Sequence, residues 1–250
     1  MKHSTKFNFI MNAILTASAF IFPLITYPYV SRVLGPENIG KVSFATSVVY
    51  YFSMFAQLGI PTYGISVCAR VRDDKEKLSR TMQEIMIINL VMTAIVYLVF
   101  AASLLAVPRL REEKTLFLVM GVTILFNTIG VEWLYKALEQ YSYITTVSIL
   151  FKLISVAAMF AFVRTRSDYI AYGGISILAA TGSSLLNFIR LRRFVYLRPL
   201  GSYNLKRHFK AILVFFAMSV ATTIYTNLDT VMLGFIKTDT DVGYYNTAVK

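Results

Sequence analysis

Val33–Ala45 reads VLGPENIGKVSFA, and a related string, MLGFIKTDTDVGYYNTA, runs from Met232 to Ala248. Each follows a long apolar run and opens with Leu-Gly, Leu34-Gly35 in one and Leu233-Gly234 in the other. Each then crosses a short polar turn, restarts with a β-branched residue and glycine (Ile39-Gly40, Val242-Gly243), and places alanine five positions later. The offset is 199 residues at the first pair and 203 at the second, so the later turn is four residues longer. A period of about 200 residues between apolar segments marks a chain built from two related halves, a common plan among membrane transporters. Two unrelated helix–turn–helix connections would also yield such a pair, because glycine and polar residues gather at any turn. If the repeat is real, this sequence ends just as its second half begins.

The chain flanking the two strings is apolar to a degree that places it in the membrane class. Apolar residues make up 56% of 250, charged residues only 15%, and the mean hydropathy is +0.60; soluble domains carry roughly a quarter charged residues. Seven stretches approach the length needed to cross hydrocarbon as a helix: Phe7–Val30, Val42–Ser66, Ile85–Val107, Leu116–Leu134, Tyr143–Val163, Tyr169–Phe188 and Ala211–Ile236. The first is too long for a signal-peptide core and has no small-residue cleavage site after it, so it reads as a retained helix. The fold expected is all-α and polytopic. A single cysteine, Cys68, excludes an intramolecular disulfide, and two histidines, His3 and His208, at opposite ends argue against a metal site. No cofactor is implied.

The net charge of +12 would suit nucleic acid, but the charges sit between the spans, so no nucleic-acid partner is expected. With the N-terminus inside, the inner segments hold 15 Lys and Arg (Lys2, Lys6, five in Arg70–Arg80, Lys136, seven in Arg190–Lys210) against 8 in the outer loops. That bias orients the N-terminus to the cytoplasm. Arg190–Lys210 separates span six from span seven and is broken by Pro199, Gly201 and Ser202. It reads as a basic linker between a first lobe, 1–189, and the start of a second, 211–250. Its charges and aromatics would suit anionic headgroups, although any positive-inside loop looks the same.

Polar residues inside the spans are the functional candidates, since each is costly in hydrocarbon unless it faces a bundle interior or water. Asn8, Asn12 and Thr16 share one face of span one, which Pro23 and Pro28 then interrupt. Thr145, Ser148, Lys152 and Ser155 form a stripe on span five, and Ser219, Thr222, Thr223, Thr226, Asp229 and Thr230 a polar side on span seven. Interhelical packing accounts for the hydroxyls equally well. It accounts less well for Lys152 and Asp229, because a charge costs at least ~2.5 kcal/mol at mid-bilayer. Lys152 is read as facing an aqueous cavity; a salt bridge to Asp229 is the competing arrangement. Glu132, at the inner end of span four, and Arg32, at the outer end of span one, also fit plain interfacial anchoring. Asp73-Asp74 resembles part of an acidic prenyl-transfer motif, but the surrounding basic residues favour a solvated loop. No catalytic triad, paired-carboxylate site or phosphate-binding glycine loop occurs, so an enzyme is not expected.

ITYPYVSRVLGPENIGKVSFA (Ile25–Ala45), QLGIPTYGI (Gln57–Ile65) and EWLYKALEQYSYIT (Glu132–Thr145) resemble bacterial polysaccharide-biosynthesis flippases of the Wzx type. That superfamily also holds MATE-type multidrug exporters and the peptidoglycan-precursor flippase. The resemblance covers essentially the whole chain and implies a transporter of two six-helix lobes. Its substrate would be undecaprenyl-pyrophosphate-linked oligosaccharide, moved between leaflets of the cytoplasmic membrane by alternating access for capsule, O-antigen or other surface polysaccharide. The partners implied are that lipid-linked oligosaccharide, membrane lipids, a polysaccharide polymerase and a chain-length regulator.

A pyrophosphate head leaving water needs cationic partners. Arg32 and Lys152 are the candidates, with Asn12 and Asp229 as further cavity residues and Glu132 and Asp229 as gating or coupling residues. With one lobe and the start of another, the chain is not expected to move lipid alone. Three other readings remain: a MATE-like exporter of small cations, which would favour cavity carboxylates; a glycan-assembly enzyme, which would favour a large outer loop or a catalytic histidine; and a non-transporting component of a glycan-assembly complex.

Overall fold

The computed structural model describes residues 5–249, Thr5 by its backbone alone. Lys2 and His3, counted above, and the terminal Lys250 lie outside the described residues. Every regular element among the described residues is helical: α1 (Thr5–Gln57), α2 (Ile60–Arg70), α3 (Lys75–Ala106), α4 (Pro108–Glu112), α5 (Lys114–Ile129), α6 (Glu132–Ala137), α7 (Tyr141–Phe162), a 3₁₀ turn (Arg166–Asp168), α8 (Tyr169–Thr181), α9 (Ser183–Leu191), α10 (Lys206–Ile236) and α11 (Asp239–Val249). The protein is an all-α polytopic membrane protein.

Six stretches are long and apolar enough to cross a membrane, the first being Lys6–Arg70 with 65 residues. At ~1.5 Å per residue such a helix would be about 98 Å long, some three times the hydrocarbon thickness of roughly 30 Å, so it is not a single crossing. It breaks at Gly35, whose φ of 74° and ψ of 170° belong to a region essentially reserved for glycine. Pro36 follows at the head of the next leg, where its missing N–H removes no helical bond. Divided there, the six stretches hold seven helical segments, at the places hydropathy selects. A second, milder break at Leu58 and Gly59 (φ 46° and 71°) separates α1 from α2.

The crossings pack around two main apolar clusters. One joins α2, α3, α6 and α10 through Tyr63, Met82, Ile85, Trp133, Leu134 and Ile212. The other joins the second leg of α1 to α3, α5 and α11 through Phe44, Val48, Phe100, Phe117 and Val242. Large apolar side chains stay uncovered, Phe9, Phe20 and Leu24 on α1 and Leu98 on α3 among them. That pattern suits a lipid solvent, in which burying an apolar side chain gains nothing over leaving it in the tails.

The two repeat strings touch. α11 lies along the second leg of α1, so close that a Cβ on Gly40 would stand 1.7 Å from the Asp239 carbonyl oxygen, and a Cβ on Gly243 1.9 Å from the Pro36 carbonyl oxygen. Pro36 and Asp239 are related by the same 203-residue offset as Gly40 and Gly243. The crossing therefore repeats itself with the partners exchanged, a local two-fold written in the sequence. It is the small-residue contact that lets helix backbones approach in a membrane.

The segment between α9 and α10 is shorter than the sequence suggests. Arg190 and Leu191 finish α9 and Lys206–Lys210 begin α10, leaving 192–205 as the irregular stretch. It is fastened to α3: Gln83 Nε2 donates to the carbonyls of Tyr196 (2.6 Å) and Arg198 (2.9 Å), and Tyr203 Oη donates to Gln83 Oε1 at 2.7 Å.

Candidate functional site

α7 presents its polar stripe to the first leg of α1. Thr145 Oγ1 donates to the Met11 carbonyl at 3.0 Å, and two turns further Lys152 Nζ donates to Ser18 Oγ at 2.6 Å. Ser18 passes its own proton back to the Leu15 carbonyl, the local bond that keeps a hydroxyl satisfied inside a helix. The Phe22 ring centroid lies 6.0 Å from the ammonium. No carboxylate among the described residues forms an ion pair with Lys152, although Glu132 lies within electrostatic range. Lys152 is thus a half-buried cation held by a neutral hydroxyl and a ring face. Such a group keeps its charge available to an incoming anion.

Asp229 is exposed on α10. It accepts from the Thr230 N–H at 2.7 Å and from the Tyr245 hydroxyl of α11. No ion pair joins it to Lys152. Glu132 opens α6 and pairs with Lys136 at 2.8 Å, one turn on. Arg32 is exposed near the Gly35 break. Asn12 is exposed on α1, in the wall of a separate pocket at the end of the bundle where α1 begins. The five candidates therefore do not converge on one point. Asn12 and Arg32 lie on α1, Glu132 on α6, Lys152 on α7 and Asp229 on α10.

Two polar centres escape a sequence reading. At the end where α1 begins, Glu84 of α3 is fully buried. It accepts from the Asn204 N–H (2.8 Å), from Arg207 Nε (2.9 Å) and Nη2, and bonds His208 Nε2 at 2.7 Å. His208 Nδ1 in turn meets the Tyr63 hydroxyl at 2.6 Å. This hub fastens α10 to α2 and α3. At the far end Arg109 of α4 holds the turn before α11, through the Asp239 carboxylate and the Gly234 carbonyl (3.0 Å). Burial alone would draw its guanidinium down, but the Asp239 hydrogen bond and charge outweigh that and hold it above its ordinary value. The signal for Glu84 is a carboxylate directly before an apolar span; the hydrogen-bond partners of its hub lie 120 residues or more away.

Helices long and apolar enough to cross a membrane, with large apolar side chains left uncovered on their flanks, define a polytopic membrane protein. The model of the family described as polysaccharide biosynthesis protein matches residues 6–250; the chain belongs to that family. It is 27% identical over 249 residues to a protein of Escherichia coli (strain K12) described as "Putative O-antigen transporter", covering 99% of this chain and 60% of that one. A protein of Shigella dysenteriae with the same description is 22% identical over 250 residues, covering 98% of this chain and 62% of the relative. The chain thus spans about three fifths of the length of the curated relatives it matches. No solved structure matches it.

Proposed function

We propose that this protein takes part in moving undecaprenyl-pyrophosphate-linked oligosaccharide across the cytoplasmic membrane, by alternating access, for surface polysaccharide export. The observation that carries the reading is Lys152. In a chain of the polysaccharide biosynthesis family, with relatives described as O-antigen transporters, a half-buried ammonium lies against Ser18 and Phe22 with no ion-pair partner among the described residues. An ammonium so placed suits a pyrophosphate passing between leaflets, which must exchange water for cationic donors. The prenyl tail stays in lipid, so only the head and its sugars need the polar path.

In this reading 1–189 is a six-helix lobe, 190–210 the connection and 211–250 the opening of a second lobe. The N-terminus lies in the cytoplasm, as the Lys and Arg bias favours. Asn12, Arg32 and Asp229 contribute further polar contacts, and Glu132 and Asp229 serve gating or coupling. The protein acts as a carrier, not an enzyme, alongside a polymerase and a chain-length regulator. The test is Lys152→Ala at the native locus, with the rest of the gene intact. Surface polysaccharide should fall and lipid-linked oligosaccharide should accumulate on the inner leaflet, with the protein present at its normal level. Unchanged surface polysaccharide would remove Lys152 from the path.

A further inference from the structure

At the end of the bundle where α1 begins, a pocket of about 350 Å³ opens between α1, α2, α6 and α7. Asn8, Asn12, Arg72, Lys136, Glu139 and Tyr141 give it its polar character. Asn8 is only 7% exposed, and its Oδ1 has no hydrogen-bond partner among the described residues. A buried amide oxygen left without a donor is costly, and such groups are almost always satisfied; this one calls for a hydroxyl or N–H from outside the protein. The basic groups have capacity to spare. Arg72 Nη1 donates to Glu139 at 2.5 Å, which engages one edge of a guanidinium with five N–H groups. Lys136 Nζ gives one of its three protons to Glu132. Arg72 and Lys136 are each paired with one carboxylate, Glu139 and Glu132, so the cluster is neutral and its hold on a phosphate rests on the N–H groups those pairs leave unused.

We propose that this pocket binds the head of a phosphorylated polyol lipid. Phosphoryl oxygens accept from Arg72 and Lys136, and a neighbouring hydroxyl donates to Asn8 Oδ1. An acceptor deep in the pocket and donors at its rim distinguish such a ligand from a bare anion, which has no proton to offer Asn8. Two sources share this chemistry, the headgroup of phosphatidylglycerol and the sugar–pyrophosphate head of a lipid-linked saccharide. Only the second rests on the transport reading given above.

Trp133 is the single tryptophan of the chain; its ring packs on Gly64 of α2, beside the lining residue Ile65, so its fluorescence is a secondary readout beside the direct count of bound ligand. The purified chain in phosphatidylcholine nanodiscs is titrated with phosphatidylglycerol, with a short-chain prenyl-pyrophosphoryl-N-acetylglucosamine, and with inorganic pyrophosphate. Native mass spectrometry of the same samples counts bound ligand directly. The expected result is saturable binding of one or both phosphorylated polyols. Asn8→Ala weakens it about fivefold, the loss of one neutral hydrogen bond, and Arg72→Gln by roughly tenfold or more, the loss of a charge-assisted one. Binding of phosphatidylglycerol alone keeps the site and separates it from transport. Inorganic pyrophosphate binding as tightly as either lipid, or lipid binding indifferent to Asn8→Ala, overturns the proposal. So does the absence of bound ligand in the mass spectrum.

Discussion

Replacing Gly40 by alanine tests the contact between the two repeat strings most directly. The new methyl would lie 1.7 Å from the Asp239 carbonyl oxygen, 2.6 Å from its carbonyl carbon and 3.0 Å from the Gly243 nitrogen. A carbon seldom approaches a carbonyl oxygen closer than about 3.3 Å, so α11 must retreat by roughly 1.5 Å. All three obstacles are backbone atoms, and no rotamer change relieves them. Overpacking a closed contact costs typically 1–3 kcal/mol, and the upper end, about 3 kcal/mol, is expected here. Gly243→Ala should cost the same for the mirrored reason, its methyl meeting the Pro36 carbonyl oxygen at 1.9 Å. Once α11 has moved away, the second methyl meets little. The double variant should therefore cost clearly less than the two single costs added, a coupling expected of residues in contact. The assay is thermal unfolding in detergent together with hydrogen exchange over Asp239–Val249, whose amides should lose protection in either single variant. Unchanged exchange in Gly40→Ala, or strict additivity in the double variant, would refute the crossing.

Glu84→Ala removes the acceptor of a buried hub and leaves His208 Nε2 without its carboxylate partner. We expect a loss of about 3 kcal/mol, the low end for breaking a buried pair because Arg207 is 46% exposed, read as a lower midpoint of thermal unfolding. Lys152→Met should behave oppositely. It strands no charge, so the unfolding midpoint should hold or rise while surface polysaccharide falls. Asp74 caps α3 by accepting from the N–H groups of Lys77 and Glu76, and the Lys77 bond chiefly holds its carboxyl below the usual carboxylate range. A lowered folded-state value means the cap's stabilisation is full above the unfolded value of ~3.9 and is lost as pH falls through the folded one. Hydrogen exchange at Glu76 and Lys77, corrected for intrinsic rate, should quicken only in that acid range, and Asp74→Asn should abolish the dependence.

The class of this protein was legible in its sequence because hydropathy and helical period are short-range quantities. Each crossing could be found from its own twenty or so residues, and the break at Gly35 was marked by Leu-Gly-Pro. The repeat was legible too, as an offset between Ile39-Gly40 and Val242-Gly243. Nothing in the strings, however, said that the two copies press against each other. The stripe of Thr145, Ser148, Lys152 and Ser155 showed a polar face on α7, but only the packing of α7 on α1 gave Lys152 the Ser18 hydroxyl in place of Asp229. Glu84 carried no signal that set it apart, and His208 entered only as one of two histidines too far apart for a metal site. They meet because α3 and α10 are brought together by apolar residues elsewhere on those helices, Ile85 and Ile212 among them. Residue type and local spacing determined the helices, their number and the polar faces. Which face meets which is set by close packing over separations of more than a hundred residues. A hydrogen bond formed at 2.7 Å leaves no periodic trace in the sequence that makes it.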